Sequence, residues 1–362
     1  MSQLTLQEFT SWPALMPFRQ QWNDLVTSQS LGPAHEFEWQ ATTWDVNQKN
    51  RELFVLLLRD GHGLAGIAPF VKETEKRKGL SVRILRPLNW FHSLHGTQMV
   101  IARDPRTLLT AVFDHLSVNH GEWALWFTQY QRGEEQETMY TQALLERGYS
   151  FDSYPGVRSP YLKLEGTWED KLKTLQPRFR TALRSREKRL REKGNVELRF
   201  LDSPNLWRSG LEAVSEIEEN SWKVSAGSAI TVQDFQWRFY TQYAPLAAER
   251  GTLKIPVLFL DGEPIAYDYA LYDRGVYYLL KTSYKKNWGE MHPGFVLRKL
   301  LVEWVYTQRG SEIDFLGRDE DYKLKWTSAV REHTVNYAFN RNWSARYLLG
   351  MHRLGTLLRP KG

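Results

Sequence analysis

The sequence has 362 residues, of which 42% are hydrophobic and 25% are charged. This length exceeds the usual size of one hydrophobic core, so a disordered chain is excluded and two domains are expected. The absence of cysteine excludes disulfides, thiolate metal ligands and cysteine nucleophiles. The formal net charge is +6, and residues 177–193 alone account for it, with eight Lys or Arg residues and two Glu residues.

The first half of the sequence predicts two helices followed by a meander of strands. Apolar runs at 52–59 and 63–72 flank Asp60 and Gly61, a pattern typical of a hairpin. Strands alternate with helices after the meander, so we expect an α/β (α+β) fold with a mixed sheet. The further elements predicted in this half are helices near 13–28 and 36–48, strands at 80–88, 97–101 and 122–128, and helices near 105–119 and 132–147.

The same order of elements recurs after a turn-rich stretch at 152–160. The predicted elements are strands at 160–164, 195–201, 253–260, 263–272, 275–284, 311–317 and 331–340, and helices near 167–175, 177–193, 204–219, 232–250, 294–308, 319–326 and 343–358. This repetition indicates a duplicated fold. We expect an N-terminal domain at 1–158, a C-terminal domain at 159–345, and a C-terminal helix and tail at 346–362.

Five segments of the second half carry a family resemblance, which covers about residues 160–340. They read PRFRTALRSREKRLREKG, NSWK, LDGEPIAYDYALYDRGVYYLL, HPGFVLRKLLVEWV and DFLGRDEDYKLKW. Together they resemble the CelD-like acetyltransferases associated with cellulose biosynthesis, within the GNAT superfamily. They are also similar to the Fem-type aminoacyl transferases, which pair two GNAT-like units. The resemblance implies tandem GNAT-like domains, each with a mixed, largely antiparallel central sheet flanked by helices.

The resemblance also implies an acyl-CoA donor, such as acetyl-CoA, whose pyrophosphate would lie on a glycine-rich turn at a helix N-terminus. The equivalent turn here is Asn287 to Gly294, which lacks the usual Q/R-x-x-G-x-G/A spacing. The turn residues expected to bind the cofactor are Trp288, Gly289, His292 and Gly294. His292 precedes a proline at a helix start, so it is expected either to act in acid–base chemistry or to cap the helix.

Asp268 is a candidate general base on a predicted central strand. Alternation places Ala266, Asp268 and Ala270 on one face of the sheet, with tyrosines on the other face. Burial among alanines would raise the pKa of a carboxyl toward that of a usable base. The alternative is a structural ion pair, because a two-residue turn at Arg274 and Gly275 would place Asp268 opposite Lys281.

The segment DFLGRDEDYKLKW supplies three further catalytic candidates. Tyr322 would protonate a leaving thiolate, Lys323 would hold a phosphate or a developing oxyanion, and Glu320 would orient an amine. The alternative is an acidic helix start that complements the helix dipole, with Trp326 in the core.

Trp222 and Lys223 are candidates for binding the acceptor substrate, since they lie in a loop-like stretch; alternatively Trp222 pins that loop to the core. The basic helix at 177–193 is expected to pack Phe179, Leu183 and Leu190 inward. Its charged face would either bind tRNA or another anionic partner or simply be solvated. The histidines show no metal-ligand spacing, so no metal site is expected.

The leading interpretation is an acyl-CoA-dependent N- or O-acyltransferase that acts on a sugar, amino-sugar or amino-acid-like acceptor in envelope or exopolysaccharide metabolism. A Fem-like transferase that uses aminoacyl-tRNA and a catalytically inactive adaptor are the alternatives. No stretch of the sequence reaches the roughly 18 uncharged apolar residues of a membrane span, and the first residues do not resemble a secretion signal. We therefore expect a cytoplasmic protein without a transmembrane segment.

Overall fold

A computed structural model describes residues 4–88, 100–119, 121–225 and 227–357. The strands are β1 (Thr5–Phe9), β2 (Arg51–Asp60), β3 (Gly63–Arg77), β4 (Leu80–Pro87), β5 (Ile101–Ala102), β6 (Trp123–Gln131), β7 (Ser150–Lys163), β8 (Val196–Phe200), β9 (Leu253–Lys254), β10 (Pro256–Leu260), β11 (Glu263–Asp273), β12 (Val276–Tyr284), β13 (Glu312–Asp314) and β14 (Val330–Phe339). The helices are α1 (Arg19–Ser28), α2 (Phe37–Asn47), α3 (Pro105–Asn119), α4 (Glu135–Glu146), α5 (Trp168–Thr174), α6 (Pro177–Arg191), α7 (Trp207–Glu219), α8 (Trp222–Ser225), α9 (Asp234–Glu249), α10 (Pro293–Thr307), α11 (Asp321–Leu324) and α12 (Trp343–Leu357).

The chain forms two compact units. The first contains Met1–Val157 together with Glu332–Gly362, and the second contains Arg158–Arg331. The sheet of the first unit has the strand order β1-β2-β3-β4-β6-β14, with β5 beside β3. Neighbouring strands are antiparallel except β4 and β6, which are parallel. Part of the strand predicted at 97–101, namely residues 97–99, lies outside the described residues, as does the tail at 358–362.

The hairpin of β2 and β3 explains why the first unit contains a long apolar run. Along β2, alternate side chains point to opposite faces of the sheet. Phe54 and Leu56 join one buried cluster, and Val55 and Leu57 join another. Because both faces of the strand are covered, nearly every residue between Leu53 and Leu58 is apolar, as expected for a strand buried on two sides.

The second unit has its own mixed sheet, in the order β7-β13-β12-β11-β10-β8, with β9 beside β11. Helix α6 begins at Pro177, whose fixed φ suits a first helical turn. It buries Phe179, Leu183 and Leu190 as predicted, and these side chains join the core that α10 contributes to. The expectation of a mixed, largely antiparallel sheet flanked by helices is confirmed in each unit.

The hairpin of β11 and β12 positions much of the later site. Asp273 pairs with Val276 across a two-residue turn, in which Arg274 (φ 45) and Gly275 (φ 81) adopt positive φ angles. The predicted turn is therefore confirmed. The predicted cross-strand neighbour of Asp268 is wrong, because a β-bulge between Tyr269 and Ala270 shifts the register.

As a result of the bulge, Asp268 faces Thr282, and Lys281 faces Tyr269 on the other side of the sheet. The alternation expected along β11 is confirmed. Asp268 points toward α10, whereas the hydroxyls of Tyr267 and Tyr269 bond groups on α7 and α9.

Strand β12 opens away from its parallel neighbour partway along its length. The pairing recorded between the described residues of β12 and β13 joins Val276–Tyr278 to Glu312–Asp314 and ends there. Beyond that point the chain after β13 turns at Leu316 and Gly317, which both have positive φ angles. The divergence leaves residues 279–284 of β12 along an opening in the sheet of the second unit.

Candidate functional site

The opening beside β12 leads into a pocket of about 520 Å³ within the second unit. Four segments form its walls: β12, the start of α8, the N-terminus of α10, and the chain from the end of β13 through α11. The lining residues are Trp222, Lys223, Ser228, Leu279, Leu280, Lys281, Thr282, Ser283, Tyr284, His292, Gly294, Phe295, Arg298, Phe315, Leu316, Gly317, Glu320, Tyr322, Lys323 and Trp326.

Tyr322 and Arg298 line one part of the pocket. Burial raises the pKa of Tyr322 well above its ordinary value, Arg298 partly opposes that rise, and Glu320 adds to it. Tyr322 therefore stays protonated at neutral pH and can donate a hydrogen bond. Arg298 is only 3% exposed, and its Nε has no hydrogen-bond partner among the described residues. A buried cation beside a hydroxyl can stabilise negative charge that develops during a reaction.

Asp268 forms an ion pair with Arg298. The guanidinium approaches the carboxylate at 2.9 Å (Nη2 to Oδ1) and 2.6 Å (Nη1 to Oδ2), and the Tyr277 hydroxyl donates to Oδ2 at 3.2 Å. Asp268 is fully buried and does not line the pocket. The structure therefore places this candidate base in an ion pair, as the alternative interpretation expected, but with Arg298 as the partner in place of Lys281.

Lys323 makes several hydrogen bonds to the loop between β13 and α11. Its Nζ donates to the carbonyl oxygens of Leu316 (2.6 Å) and Arg318 (3.0 Å) and pairs with the Glu320 carboxylate at 3.0 Å. These three acceptors account for the three donors of an ammonium group. The geometry thus favours a structural role for Lys323, in which it fixes the loop that carries Glu320 to the pocket wall.

The N-terminus of α10 forms another wall. A short 3-10 helix (Lys286–Met291) precedes it, and His292 adopts a left-handed conformation (φ 51) at the N-cap position without a side-chain capping hydrogen bond. Burial lowers the pKa of His292, and the positive charges of Arg186, Lys325 and Arg189 lower it further. Arg186 and Lys325 lie 4.3 and 5.0 Å from the ring centre of Phe295. Positive charge therefore surrounds this helix start.

Trp222 and Lys223 line the pocket from α8. Trp222 is 45% exposed, so it does not pin the loop into the core. The Lys223 Nζ donates to the Thr282 carbonyl oxygen at 2.6 Å and lies 3.4 Å from a Glu218 carboxylate oxygen. Glu218 is fully buried on α7.

The structure brings most of the sequence-predicted site residues together and leaves three outside the lining. Trp222, Lys223, His292, Gly294, Glu320, Tyr322 and Lys323 line the pocket, whereas Asp268, Trp288 and Gly289 do not. Sequence reasoning missed Arg298, Glu218 and the pocket-facing role of Lys281. Arg298 lies four residues after Gly294, one helical turn into α10, so a search for charges on the inner face of that helix could have found it.

The matching family model is described as acetyltransferase (GNAT) domain and covers residues 177–324. All the lining residues except Trp326 fall within this range. Much of the second unit is therefore similar to a GNAT-type acetyltransferase domain, and nearly all of the pocket lining lies within the matched range. The search among curated proteins found no match.

Solved structures show the same fold over nearly the whole chain. A structure titled FemX aligns with a TM-score of 0.61 and 11% identity, covering 97% of this chain and 99% of that chain. L-PGS from Bacillus licheniformis aligns at 0.50 with 14% identity, covering 87% and 95%. A tandem GNAT protein from the clavulanic acid biosynthesis pathway aligns at 0.50 with 12% identity, covering 92% and 98%. The expected tandem GNAT-like fold is thus confirmed.

The described part of the chain contains no cluster of three or more His, Asp or Glu side chains suited to a metal ion. A membrane span would also require a longer and more apolar helix than any found in those ranges.

Proposed function

We propose that the second unit transfers an acyl group, in the first instance acetyl, from acyl-CoA to an amine or hydroxyl of a small acceptor. One observation carries this proposal: the part of the chain that matches an acetyltransferase domain encloses a pocket in which a helix N-terminus, a protonated tyrosine and a buried arginine all meet. Each of these groups suits one requirement of acyl transfer from a thioester.

The donor would bind along β12 and the start of α10. Unpaired N–H groups at a helix N-terminus carry partial positive charge and favour phosphate groups. Gly294 lines this wall, and an added Cβ there would approach the Tyr284 ring at 3.4 Å, so the backbone lies close to its surroundings. Arg186 and Lys325 add positive charge nearby. These charges would attract the pyrophosphate of the donor even though the turn at 287–294 lacks the usual glycine spacing.

The transfer itself would occur near Tyr322 and Arg298. The acceptor nitrogen or oxygen attacks the thioester carbonyl carbon, and the carbon–sulfur bond of the resulting tetrahedral intermediate then breaks. The acceptor's proton passes to solvent, and the sulfur leaves as the thiolate of CoA, which takes up a proton from solvent to give the free thiol. Arg298 would stabilise the negative charge of the tetrahedral intermediate, and Tyr322 would donate a hydrogen bond to the leaving sulfur. Asp268 would act as a positioning residue that keeps Arg298 oriented, and Lys323 would position the loop that carries Glu320.

The acceptor would enter between α8 and β12, where Trp222 and Lys223 line the pocket. An exposed tryptophan beside polar groups suits a sugar, an amino sugar or an amino-acid-like molecule. The sequence resemblance to CelD-like acetyltransferases favours an acceptor from exopolysaccharide or envelope metabolism.

The direct test is thermal stabilisation of the purified protein by acetyl-CoA, longer acyl-CoAs and free CoA. A ligand at 100 times its dissociation constant adds about 2.7 kcal/mol of stability. Gly294→Val, which would crowd the helix start, should abolish the stabilisation. Gly121→Val is the matched control, since its added Cβ would meet nothing within 4 Å and Gly121 lies outside the pocket lining. Absence of stabilisation by every thioester would contradict the proposal.

A second candidate function is transfer from aminoacyl-tRNA, and the surface of α6 favours it. Five of its basic side chains are exposed: Arg178, Arg184, Lys188, Arg189 and Arg191. Clustered basic residues attract nucleic acid phosphates, and such binding weakens steeply with salt. A gel-shift titration with tRNA at increasing salt would therefore test it. Binding that is independent of salt, or absent at low salt, would contradict it.

A further inference from the structure

We infer that Lys281, together with Lys223, forms a binding subsite for an oxyanion of the acceptor, either a carboxylate or a phosphate group. This inference rests on the proposed function, because it specifies the acceptor that the same pocket would take. It assigns the substrate class as amines or alcohols that carry a negative charge.

The position of Lys281 supports the subsite. The β-bulge places it opposite Tyr269, on the side of the sheet where the hydroxyls of Tyr267 and Tyr269 bond α7 and α9. There Lys281 lines the pocket and is half-buried. Within the part of the chain that the structure describes, its ammonium group has no hydrogen-bond acceptor and no carboxylate within ion-pair distance. A half-buried ammonium group without a partner is costly and favours an anionic ligand.

The acidic group near Lys281 is Glu218, and both of its carboxylate oxygens already have partners within the protein. Oε1 of Glu218 accepts from the Tyr267 hydroxyl at 2.7 Å and lies 3.4 Å from Lys223, while Oε2 accepts from the backbone N–H of Ile230 at 2.9 Å. Glu218 pairs with Lys223 and acts on Lys281 only at longer range, and when all three groups are ionised the cluster keeps one positive charge. A bound oxyanion would neutralise that charge and accept from Lys281.

The electrostatic environment of Lys281 agrees with this assignment. Burial lowers the pKa of Lys281 to about 8, the positive charge of Lys223 contributes to the decrease, and Glu218 opposes it. Lys323 is paired with Glu320, and Arg298 is paired with Asp268. The other titratable groups that line the pocket are Tyr284, His292 and Tyr322. Below pH 8 the amine of Lys281 is mostly charged and binds an anion, and above pH 8 it becomes neutral.

Lys281 and Tyr322, which both line the pocket, would therefore have different functions: Lys281 would bind the acceptor, and Tyr322 would act in the transfer. Lys281 interacts electrostatically with Lys223 and Glu218, whereas Tyr322 interacts with Arg298, Asp268 and Glu320. An acceptor anchored by its anionic end at Lys281 would extend its amine or hydroxyl along β12 toward the reacting thioester. Such anchoring raises the effective concentration of the nucleophile at the site of transfer.

The test compares matched pairs of acceptors by calorimetric titration without any donor. The pairs are β-alanine with β-alaninamide, L-alanine with L-alaninamide, and glucosamine 6-phosphate with glucosamine. We expect the wild-type protein to bind the anionic member of at least one pair about ten- to a hundredfold more tightly, as for a charge-assisted hydrogen bond. This preference should decline as the pH rises through about 8.

Lys281→Met should remove the preference, while Lys281→Arg should retain most of it. Lys163→Met is the control, because Lys163 is exposed on β7 and lies outside the pocket lining. Equal binding of both members of every pair by the wild type, binding of neither, or an equal loss for both members in Lys281→Met would each overturn the inference. Since no donor is present, these outcomes are independent of the acetyl-CoA stabilisation that tests the proposed function.

Discussion

Asp268 and Arg298 form a fully buried ion pair, with the carboxylate on strand β11 and the guanidinium one helical turn into α10. Two nitrogen–oxygen contacts of 2.6 and 2.9 Å join them, and the Tyr277 hydroxyl satisfies the carboxylate further. The pair links the central strand of the second unit to the helix whose N-terminus lines the pocket. Stability and site geometry therefore depend on the same contact.

Asp268→Asn should destabilise the protein by about 3–5 kcal/mol, because it leaves a buried guanidinium without its counterion. Combining it with Arg298→Met should recover part of that loss, since no unpaired charge then remains. Urea denaturation of the two single variants and the double variant provides the thermodynamic cycle. Glu197→Gln is the control, because the ion pair of Glu197 with Arg199 is solvent-exposed. Additive losses in the double variant would show that the two side chains do not act as a pair.

Tyr322→Phe should lower the turnover number roughly a hundredfold, the lower range for loss of one hydrogen-bond donor to charge that develops in the transition state. Binding of acetyl-CoA should change little, because the hydroxyl would act mainly on the leaving sulfur. Steady-state kinetics combined with thermal stabilisation by acetyl-CoA separates these effects. Tyr272→Phe, outside the pocket lining, should keep full activity. A Tyr322→Phe enzyme of normal turnover would remove Tyr322 from the proposed step.

Gly317→Ala should destabilise the protein more than Gly227→Ala does. The two glycines have nearly equal positive φ angles, 61 and 64, so alanine costs about 1–2 kcal/mol at either position from backbone strain. At Gly317 the added Cβ would also lie 3.1 Å from the Lys323 Nζ, whereas at Gly227 it would meet nothing within 4 Å. Chemical denaturation measures the difference, and equal losses would show that Lys323 moves aside without cost.

Asp314 should make the stability of the second unit depend on pH. Burial raises the pKa of this carboxyl to about 6, against the opposing charge of Arg331, while an unfolded aspartate titrates near 4. The protonated form is thus favoured by folding. Its contribution to stability is complete below about pH 4 and is lost as the pH rises through about 6, by up to about 3 kcal/mol.

The measurement for Asp314 is the free energy of unfolding in urea at pH 4, 5, 6 and 7. Asp314→Asn should flatten the decrease between pH 4 and 6, because the amide does not titrate. Asp319→Asn is the control, because Asp319 is a half-buried aspartate of the same loop and accepts a hydrogen bond from Arg158. This variant should retain the wild-type dependence of stability on pH. An unchanged decrease in the Asp314 variant would assign the titration to another group.

Much of the fold follows from periodicity and turn chemistry in the sequence. The apolar runs on either side of Asp60 and Gly61 predict the β2–β3 hairpin, and the apolar stripe of α6 predicts which side chains it buries. No local pattern marks the return of residues 332–362 to the first unit. Such long-range grouping depends on which surfaces fit together, and a single strand or helix carries little information about that.

The site was partly predictable for a similar reason. Residues of the segment DFLGRDEDYKLKW lie together because they are neighbours in sequence, so helical spacing could place Glu320 near Lys323 in advance. The local pattern did not give the partner of Asp268, because Arg298 lies 30 residues further along the chain, on α10. The bulge between Tyr269 and Ala270, which moves Lys281 away from Asp268, leaves no composition signal either. The role of Lys323 in holding the loop could not be inferred from the sequence either. Two of its acceptors are backbone carbonyl oxygens, which every residue type provides.

That bulge separates two chemical tasks within one hairpin. Because Leu280 is the extra residue of the bulge, the residues that follow it pair with β11 in a shifted register. Lys281 therefore pairs with Tyr269 and lies away from Asp268. A strand one residue shorter would direct the amine of Lys281 against the buried pair and leave the other side of the sheet without its cation. Among proteins of this fold, the length of this strand should therefore change together with the charge of the acceptor, even where the pocket residues themselves are retained.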